Sequence, residues 1–411
     1  MSFLTLLFIV LILENIIQQF IPFNFYLDEF LTLFFLLLII LKFSKKVLVE
    51  KKVFLFFVCF IAVLVIGILG NLIYDMQFEK IAILKDILAF SKFFITFFFC
   101  STVLSQGMNT KTQFNIVLFS KIYTTILFVF GILSQFFDLN MNTGYRAGIN
   151  TFCFLYTHTT FLVANVVVIC SVLISDNFKK NQLYVLMDII VLLLTVRDKA
   201  FVYIASIILL YFFLNSKENF DAVKLKKYKK FVYLSLPVVI VLIRYLAKDK
   251  IQGYFSWGLY AARPALYIVG AKIFFDFFPL GTGFGTFASS ISGKYKSPVY
   301  EMYNIQNTSG LSEEDHFQYI SDTFWPYVIG QFGFLGTLFY LMSLFYIWKT
   351  LQAKYFNDKG RLIASVSLFL YIIAACFVES VMTNSSIILF TLTLGYYLNS
   401  SLQNKTRSIE I

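Results

Sequence analysis

The sequence predicts an all-α polytopic membrane protein of about twelve transmembrane helices, with one large extracytoplasmic loop that contains an interfacial helix. Three observations lead there. Apolar residues fill 59% of the 411 positions, with Phe alone occurring 52 times; only 14% are charged; and each lysine cluster follows an even-numbered apolar run. A soluble domain carries about 25% charged residues and needs far less apolar surface to fill its core. Lipid is the solvent that fits this balance.

A helix needs about 20 apolar residues to span a bilayer. Runs of this kind fall at about 3–21, 29–42, 53–72, 87–104, 113–134, 153–174, 183–196, 199–214, 231–246, 326–348, 361–379 and 383–399. Phe3 opens the first without a basic n-region or small-residue cleavage site, so it reads as a spanning helix and not a removed signal peptide. Lys42, Lys45, Lys46, Lys51 and Lys52 follow the second run, Lys179 and Lys180 the sixth, and Lys217 to Lys230 the eighth. Lys349, Lys354, Lys359 and Arg361 follow the tenth, Lys405 and Arg407 the twelfth. Positive loops stay in the cytoplasm, so both termini are expected inside. The chain then divides into helices one to nine (1–246), a large outer loop (247–325), helices ten to twelve (326–399) and a cytoplasmic tail (400–411).

The net charge of +11 sits in these clusters, with no aromatic and basic face along one element, so no nucleic-acid partner is expected. Cys59, Cys100, Cys153, Cys170 and Cys376 lie in or beside apolar runs without CxxC spacing and read as packing residues.

Chemistry is expected in the outer loop, which is too long and too rich in aromatics and Gly-centred turns to read as a disordered connection. Arg263 to Phe278 reads as the interfacial helix, apolar but for Arg263, Lys272 and Asp276. The segment from Pro279 to Phe287 then turns the chain. Its GTGFG, Gly281 to Gly285, lacks the Lys-Ser/Thr of a phosphate loop and reads as a tight structural turn. The chain also lacks HExxH and GxSxG.

Five cations fall on the outer side in or beside helices: Arg146, Arg197, Lys199, Arg244 and Arg263. An Arg at the bilayer centre costs about 2.5–3.5 kcal/mol on insertion scales, so several at one level point to a shared anion such as a lipid pyrophosphate. The plainer alternative is snorkelling to the interface or pairing with a local carboxylate, as Arg197 has in Asp198. An acidic group, Glu313, Glu314 and Asp315 with His316, precedes Asp322 in SDTFWP at the start of helix ten. Asp322 is the candidate general base and His316 the alternative. A helix N-cap explains Asp322 equally well, and simple exposure explains His316. His158, in THTT, reads as a packed polar residue. Nothing in the acidic group fixes the ligand geometry a metal needs, and none is expected.

In this order the motifs resemble those of the Wzy-type O-antigen and capsular polysaccharide polymerases and the related O-antigen ligases. An Arg opens the interfacial helix; Pro279 to Phe287 reads P-x-G-x-G-x-G-x-F; Gly333-Phe334-Leu335-Gly336 gives G-x-x-G in helix ten. Thr195-Val196-Arg197 and Arg146-Ala147-Gly148 are similar to further family features. Family ligases carry a His eleven residues before that first Gly, where this chain has Asp322; the departure suits a polymerase.

The resemblance implies surface polysaccharide biosynthesis in a bacterial cytoplasmic membrane. Undecaprenyl-pyrophosphate-linked oligosaccharides would be donor and acceptor, a chain-length regulator is a further candidate partner, and no cofactor is needed. Asp322 would activate the acceptor hydroxyl while Arg263, Arg197, Arg146 and Arg244 hold the pyrophosphate. A ligase-like glycan transferase and a polysaccharide flippase or transporter are the alternatives; a transporter would show paired halves with broken helices.

Overall fold

Long apolar runs become helices wherever they have neighbours to cover them. The computed structural model describes residues 2–20, 26–43, 48–104, 108–215, 252–253, 255–399 and 409–410. The first half holds α1 (Phe3–Phe20), α2 (Leu27–Phe43), β1 (Leu48–Val49), α3 (Lys51–Tyr74), α4 (Lys80–Thr102) and α5 (Thr110–Phe136). A hairpin, β2 (Asn142–Arg146) and β3 (Ile149–Phe152), precedes α6 (Thr159–Leu194) and α7 (Asp198–Asn215). Later come α8 (Ala262–Asp276), the short α9 (Ser290–Lys294) and α10 (Val299–Met302), α11 (Trp325–Tyr355), α12 (Lys359–Ala375) and α13 (Ser386–Leu392), which runs on as a π-helical turn over Thr393–Tyr397. A two-residue strand β4 (Ile409–Glu410) pairs with β1.

Among the described residues, five helices are long and apolar enough to cross a membrane: α1, α3, α5, α6 and α11. Each apolar run of the sequence except one meets a helix; the ninth run, 231–246, lies outside the described residues and takes Arg244 with it. The sixth and seventh runs share α6, which breaks at Asn177 (φ −164°, ψ 101°). Asn181 Nδ2 donates to the Leu173 carbonyl at 3.0 Å. Eight residues of continuous helix would separate those groups by about 12 Å, so the two arms of α6 fold back on each other.

The core is aromatic and centred on α4, whose residues 90–100 are all buried. A helix apolar all round belongs inside a bundle. Phe94 stacks on Phe60 of α3 with ring centroids 4.6 Å apart, and Phe99 stacks on Phe35 of α2 at 4.3 Å.

The glycine-rich turn is built into this core. Helix α11 breaks at Gly333 (φ 55°, ψ −153°), which exposes carbonyls that a continuous helix would use itself. The turn takes them up: Thr282 N donates to Gly330 O at 3.0 Å, Gly283 N to Gln331 O at 2.9 Å, and Leu335 N returns a bond to Pro279 O at 3.1 Å. Asn71 of α3 brackets Phe284, donating to its carbonyl at 2.9 Å and accepting from its amide at 2.8 Å. Asp86 of α4 accepts from Gly285 N at 2.8 Å and from Tyr327 Oη at 3.1 Å. Gly281 and Gly283 have positive φ (76° and 89°), and a methyl group on either would strike backbone, of Gln331 and Gly333 in one case and of Asn71 in the other. The motif thus clamps α3, α4 and α11 together, below the segment that carries Asp322.

Candidate functional site

Each candidate side chain owes its position to an irregular piece of backbone at one end of the bundle. Arg146 closes β2 beside a two-residue turn, Ala147 (φ 49°) and Gly148 (φ 86°), both left-handed as a type I′ hairpin requires. Thr143 of the same hairpin shares hydrogen bonds with Thr151 (3.0 Å) and with Thr159 at the start of α6 (2.9 Å). Arg197 follows Val196, whose φ of 48° is a conformation that a β-branched residue adopts only under constraint. That turn separates α6 from α7 and directs Arg197 Nη2 to His158 Nε2 at 3.2 Å and Thr159 Oγ1 at 3.3 Å. His158 is the N-cap of α6, its Nδ1 accepting from Thr160 N at 3.2 Å.

Arg263 lies in the first turn of α8 and pairs with Asp322 through Nη2 and Oδ2 at 2.9 Å, both side chains about one-third exposed (35% and 30%). Asp322 sits in the strap leading into α11, three residues before its first residue, Trp325. A second strap, between α12 and α13, is stitched to the first. Phe324 N donates to Cys376 O at 3.0 Å, Ser380 N to Ser321 O at 3.1 Å, and Ser380 Oγ to Thr323 O at 3.1 Å. Tyr267 of α8 donates to Phe377 O of the second strap at 3.1 Å.

The second strap carries Glu379, a site residue that sequence reasoning did not name. Its carboxylate meets Lys199 Nζ at 2.6 Å, with side-chain exposures of 15% and 5%. Glu379 was legible in one respect: it is the only acid between Arg361 and Ser380, at the end of an apolar run, where an ionisable residue is costly and usually functional. A third charged group anchors the strap from below. Lys92 of α4 pairs with Asp28, with Glu29 at 2.7 Å, and donates to Thr383 O at 3.4 Å.

Electrostatics join these pairs into one site. Burial raises the pKa of Asp322 above the ordinary carboxylate value, Arg263 opposes the rise, and the charge of Glu379 adds to it. Burial lowers His158, and the cations Arg197, Lys199 and Arg146 lower it further. Arg197 is depressed by burial and by Arg146. The structure therefore pairs Arg263 with Asp322 and sets Arg197 against His158, with Arg146 acting on Arg197 and the Lys199-bonded Glu379 acting on both Asp322 and Arg197. His316 is exposed (φ 52°) in a separate loop, where Asp315 accepts from Gly310 N at 2.6 Å and Glu313 pairs with Lys296 at 2.8 Å. Arg244 lies outside the described residues. No cluster of three His, Cys, Asp or Glu suited to a metal occurs among the described residues.

Two chemistries are combined here. A carboxylate of raised pKa, oriented by a guanidinium, can take a proton from a hydroxyl. Two arginines and a neutral histidine beside it can receive an anion. The chain is thus a largely helical protein with membrane-length apolar helices and a polar site at one end. No family model matches it, and no curated protein matches its sequence.

Proposed function

We propose that the protein is a polysaccharide polymerase of the bacterial cytoplasmic membrane, spanning it about twelve times with both termini inside and the site facing out. It transfers a growing glycan from undecaprenyl pyrophosphate to the non-reducing end of an incoming lipid-linked repeat. The observation that carries this reading is the pairing of Asp322 with Arg263 at one end of an apolar bundle, with the charge of Glu379 reaching both Asp322 and Arg197.

In the proposed step the acceptor hydroxyl gives its proton to Asp322 while its oxygen bonds to C1 of the donor sugar. The bond from C1 to the pyrophosphate oxygen breaks, and that oxygen keeps the electron pair. Arg197 and Arg146 take up the developing charge, in a partly dry site where fixed donors act strongly. Arg263 already spends one nitrogen on Asp322, so its task is to orient the base. The exposed apolar helix faces, such as Leu72, Ile73 and Phe212, suit a body in contact with lipid, and lipid is where both substrates are anchored.

The test is expression of Asp322→Asn and Arg263→Ala in a strain lacking the gene, followed by analysis of lipid-linked glycans. Accumulation of single repeats with loss of polymer is the expected result. Normal polymer from both variants rules the reading out, and absence of any repeat on the outer face favours a flippase. A reporter fused near Ser292 is expected to report the outer side.

A further inference from the structure

A cleft of about 320 Å³ opens beside α5 at the corner where α6 folds back. Its volume is within the range of about 300–1,000 Å³ usual for small-ligand sites. Asp176, on its wall, stands about 26 Å along α6 from Thr159, so the cleft lies far from Asp322, at the end of the bundle where α5 begins. From α5, Gln113, Phe114, Leu118 and Lys121 line it on successive turns of one helix face; from the corner, Asp176 and Lys180 do.

Two cations in this cleft have no anionic partner. The one acid on its wall is committed to amides: Asp176 Oδ1 accepts from Gln113 Nε2 at 3.0 Å and Oδ2 from Asn181 Nδ2 at 3.1 Å. Among the described residues, neither Lys121 nor Lys180 forms an ion pair, and neither ammonium donates a hydrogen bond. Other lysines at this end close helices, as Lys42 does on Thr102 O at 2.7 Å. Lys121 Nζ lies 5.3 Å from the centre of the Tyr184 ring, whose face attracts the charge on one side and supplies no anion. Lys121 is also half-buried and about 16 Å along α5, with exposed Ile122, Ile126 and Val129 following it. An ammonium that deep in a spanning helix is costly without an anion at its level.

We infer that the cleft holds the headgroup of an anionic phospholipid, its phosphate between Lys121 and Lys180 and its acyl chains along Phe114 and Leu118. Charge and shape both fit. Two lysines face one acid whose oxygens are already bonded, which leaves the cleft one positive charge in excess, and a phosphodiester supplies one negative charge. Phe114 and Leu118 are exposed on the same face as Lys121, a surface that acyl chains cover and a soluble phosphate does not. The Lys121 stem lets its ammonium reach toward headgroup level while its methylenes stay in apolar surroundings. The topology proposed above places this lipid in the cytoplasmic leaflet, where basic clefts between helices take up anionic headgroups. The inference needs a lipid-embedded body and does not draw on the reaction proposed for the other end.

Native mass spectrometry of the full-length protein released from detergent measures binding of phosphatidylglycerol, of phosphatidylcholine and of glycerol 3-phosphate, with melting temperatures recorded in parallel. The wild type is expected to take up phosphatidylglycerol in preference to the other two. Lys121→Gln and Lys180→Gln should each weaken phosphatidylglycerol by about fivefold, and Lys121→Arg should retain it. Lys179→Gln should change nothing, because Lys179 is exposed and does not line the cleft. If Lys121→Gln melts early, the exposed Lys180→Gln carries the test.

Equal affinity for phosphatidylglycerol and phosphatidylcholine overturns the inference, as does unchanged affinity in Lys121→Gln or Lys180→Gln. An equal loss in Lys179→Gln also overturns it, since the attraction is then a diffuse surface effect. Glycerol 3-phosphate bound as tightly as the lipid assigns the lysines to a soluble phosphate and overturns the lipid. The two readings fail separately. Normal polymer from Asp322→Asn with weakened lipid binding in Lys121→Gln removes the polymerase and leaves the lipid site; loss of polymer from Asp322→Asn with normal lipid binding in Lys121→Gln does the reverse.

Discussion

The two ends of the helical body use their charges differently. At one end, lysines bond to the last carbonyls of helices: Lys42 donates to Thr102 O at 2.7 Å and Val103 O at 3.2 Å, and Lys354 donates to Gly395 O beside Tyr355 Oη on Leu394 O at 2.7 Å. These are C-caps, satisfying groups that a helix leaves open. At the other end cations and carboxylates meet one another, Arg263 with Asp322 and Lys199 with Glu379, and two arginines are crowded beside a histidine. Capping needs one charge per helix end. Neighbouring arginines repel, and at Arg197 the charges of Glu379 and Asp198 offset part of that repulsion.

The contrast has a largest test and progressively smaller ones. Asp322→Asn is expected to cut polymer formation by about 10²- to 10⁴-fold, the usual range for a general base, with protein level unchanged on blotting. Because burial holds its pKa up, the activity of the wild type should rise with pH along a limb lying above the ordinary Asp value of about 3.9. Stability runs the other way. The folded protein keeps the Asp322 proton to a higher pH than the unfolded chain, so that contribution is lost as pH rises through the raised value.

Glu379→Gln strands a buried lysine and is expected to destabilise by about 3–5 kcal/mol, seen as a lower melting temperature in detergent; a Lys199→Met, Glu379→Met pair should recover most of it. Gly283→Ala should cost about 1–3 kcal/mol from backbone conformation alone, plus the collision with Asn71, measured the same way. Smallest is Lys354→Met at the capping end, about 1–3 kcal/mol for one lost charged hydrogen bond. It should leave glycan length unchanged. Shortened glycans from Lys354→Met in a fully folded protein would erase the distinction between the ends.

Much of the helical layout was legible because burial in lipid or in an aromatic core demands the same thing of a sequence, an unbroken apolar run. The run at 53–72 became Lys51–Tyr74 and the run at 113–134 became Thr110–Phe136. What escaped were the places where local chemistry interrupts a run. The break at Gly333 depends on carbonyls being taken by a turn 50 residues earlier in sequence, such as Gly283 on Gln331, and no window around Gly333 contains that partner. The hairpin at 142–152 is short and polar, and its function as a mount for Arg146 is visible only through Thr143 and Thr159.

Of the site, the separate residues Arg146, Arg197, Arg263 and Asp322 could be read from the chain, as unusual charges at the ends of apolar runs. Their pairing could not. The bond from Arg263 to Asp322 spans 59 positions and that from Lys199 to Glu379 spans 180, and the straps that create both are irregular coil without periodicity. His158 was passed over for a related reason. Its capping bond to Thr160 is local and ordinary, whereas the meeting with Arg197 depends on how α6 folds back at Asn177 and how Val196 turns the chain.

The most direct measurement is polymer formation by purified protein in liposomes supplied with lipid-linked repeats extracted from a strain lacking the gene. Wild-type protein should convert single repeats to a ladder of longer glycans with release of undecaprenyl pyrophosphate, and Asp322→Asn should leave single repeats. A ladder of the same length and rate from Asp322→Asn, or none from the folded wild-type protein, would contradict the account.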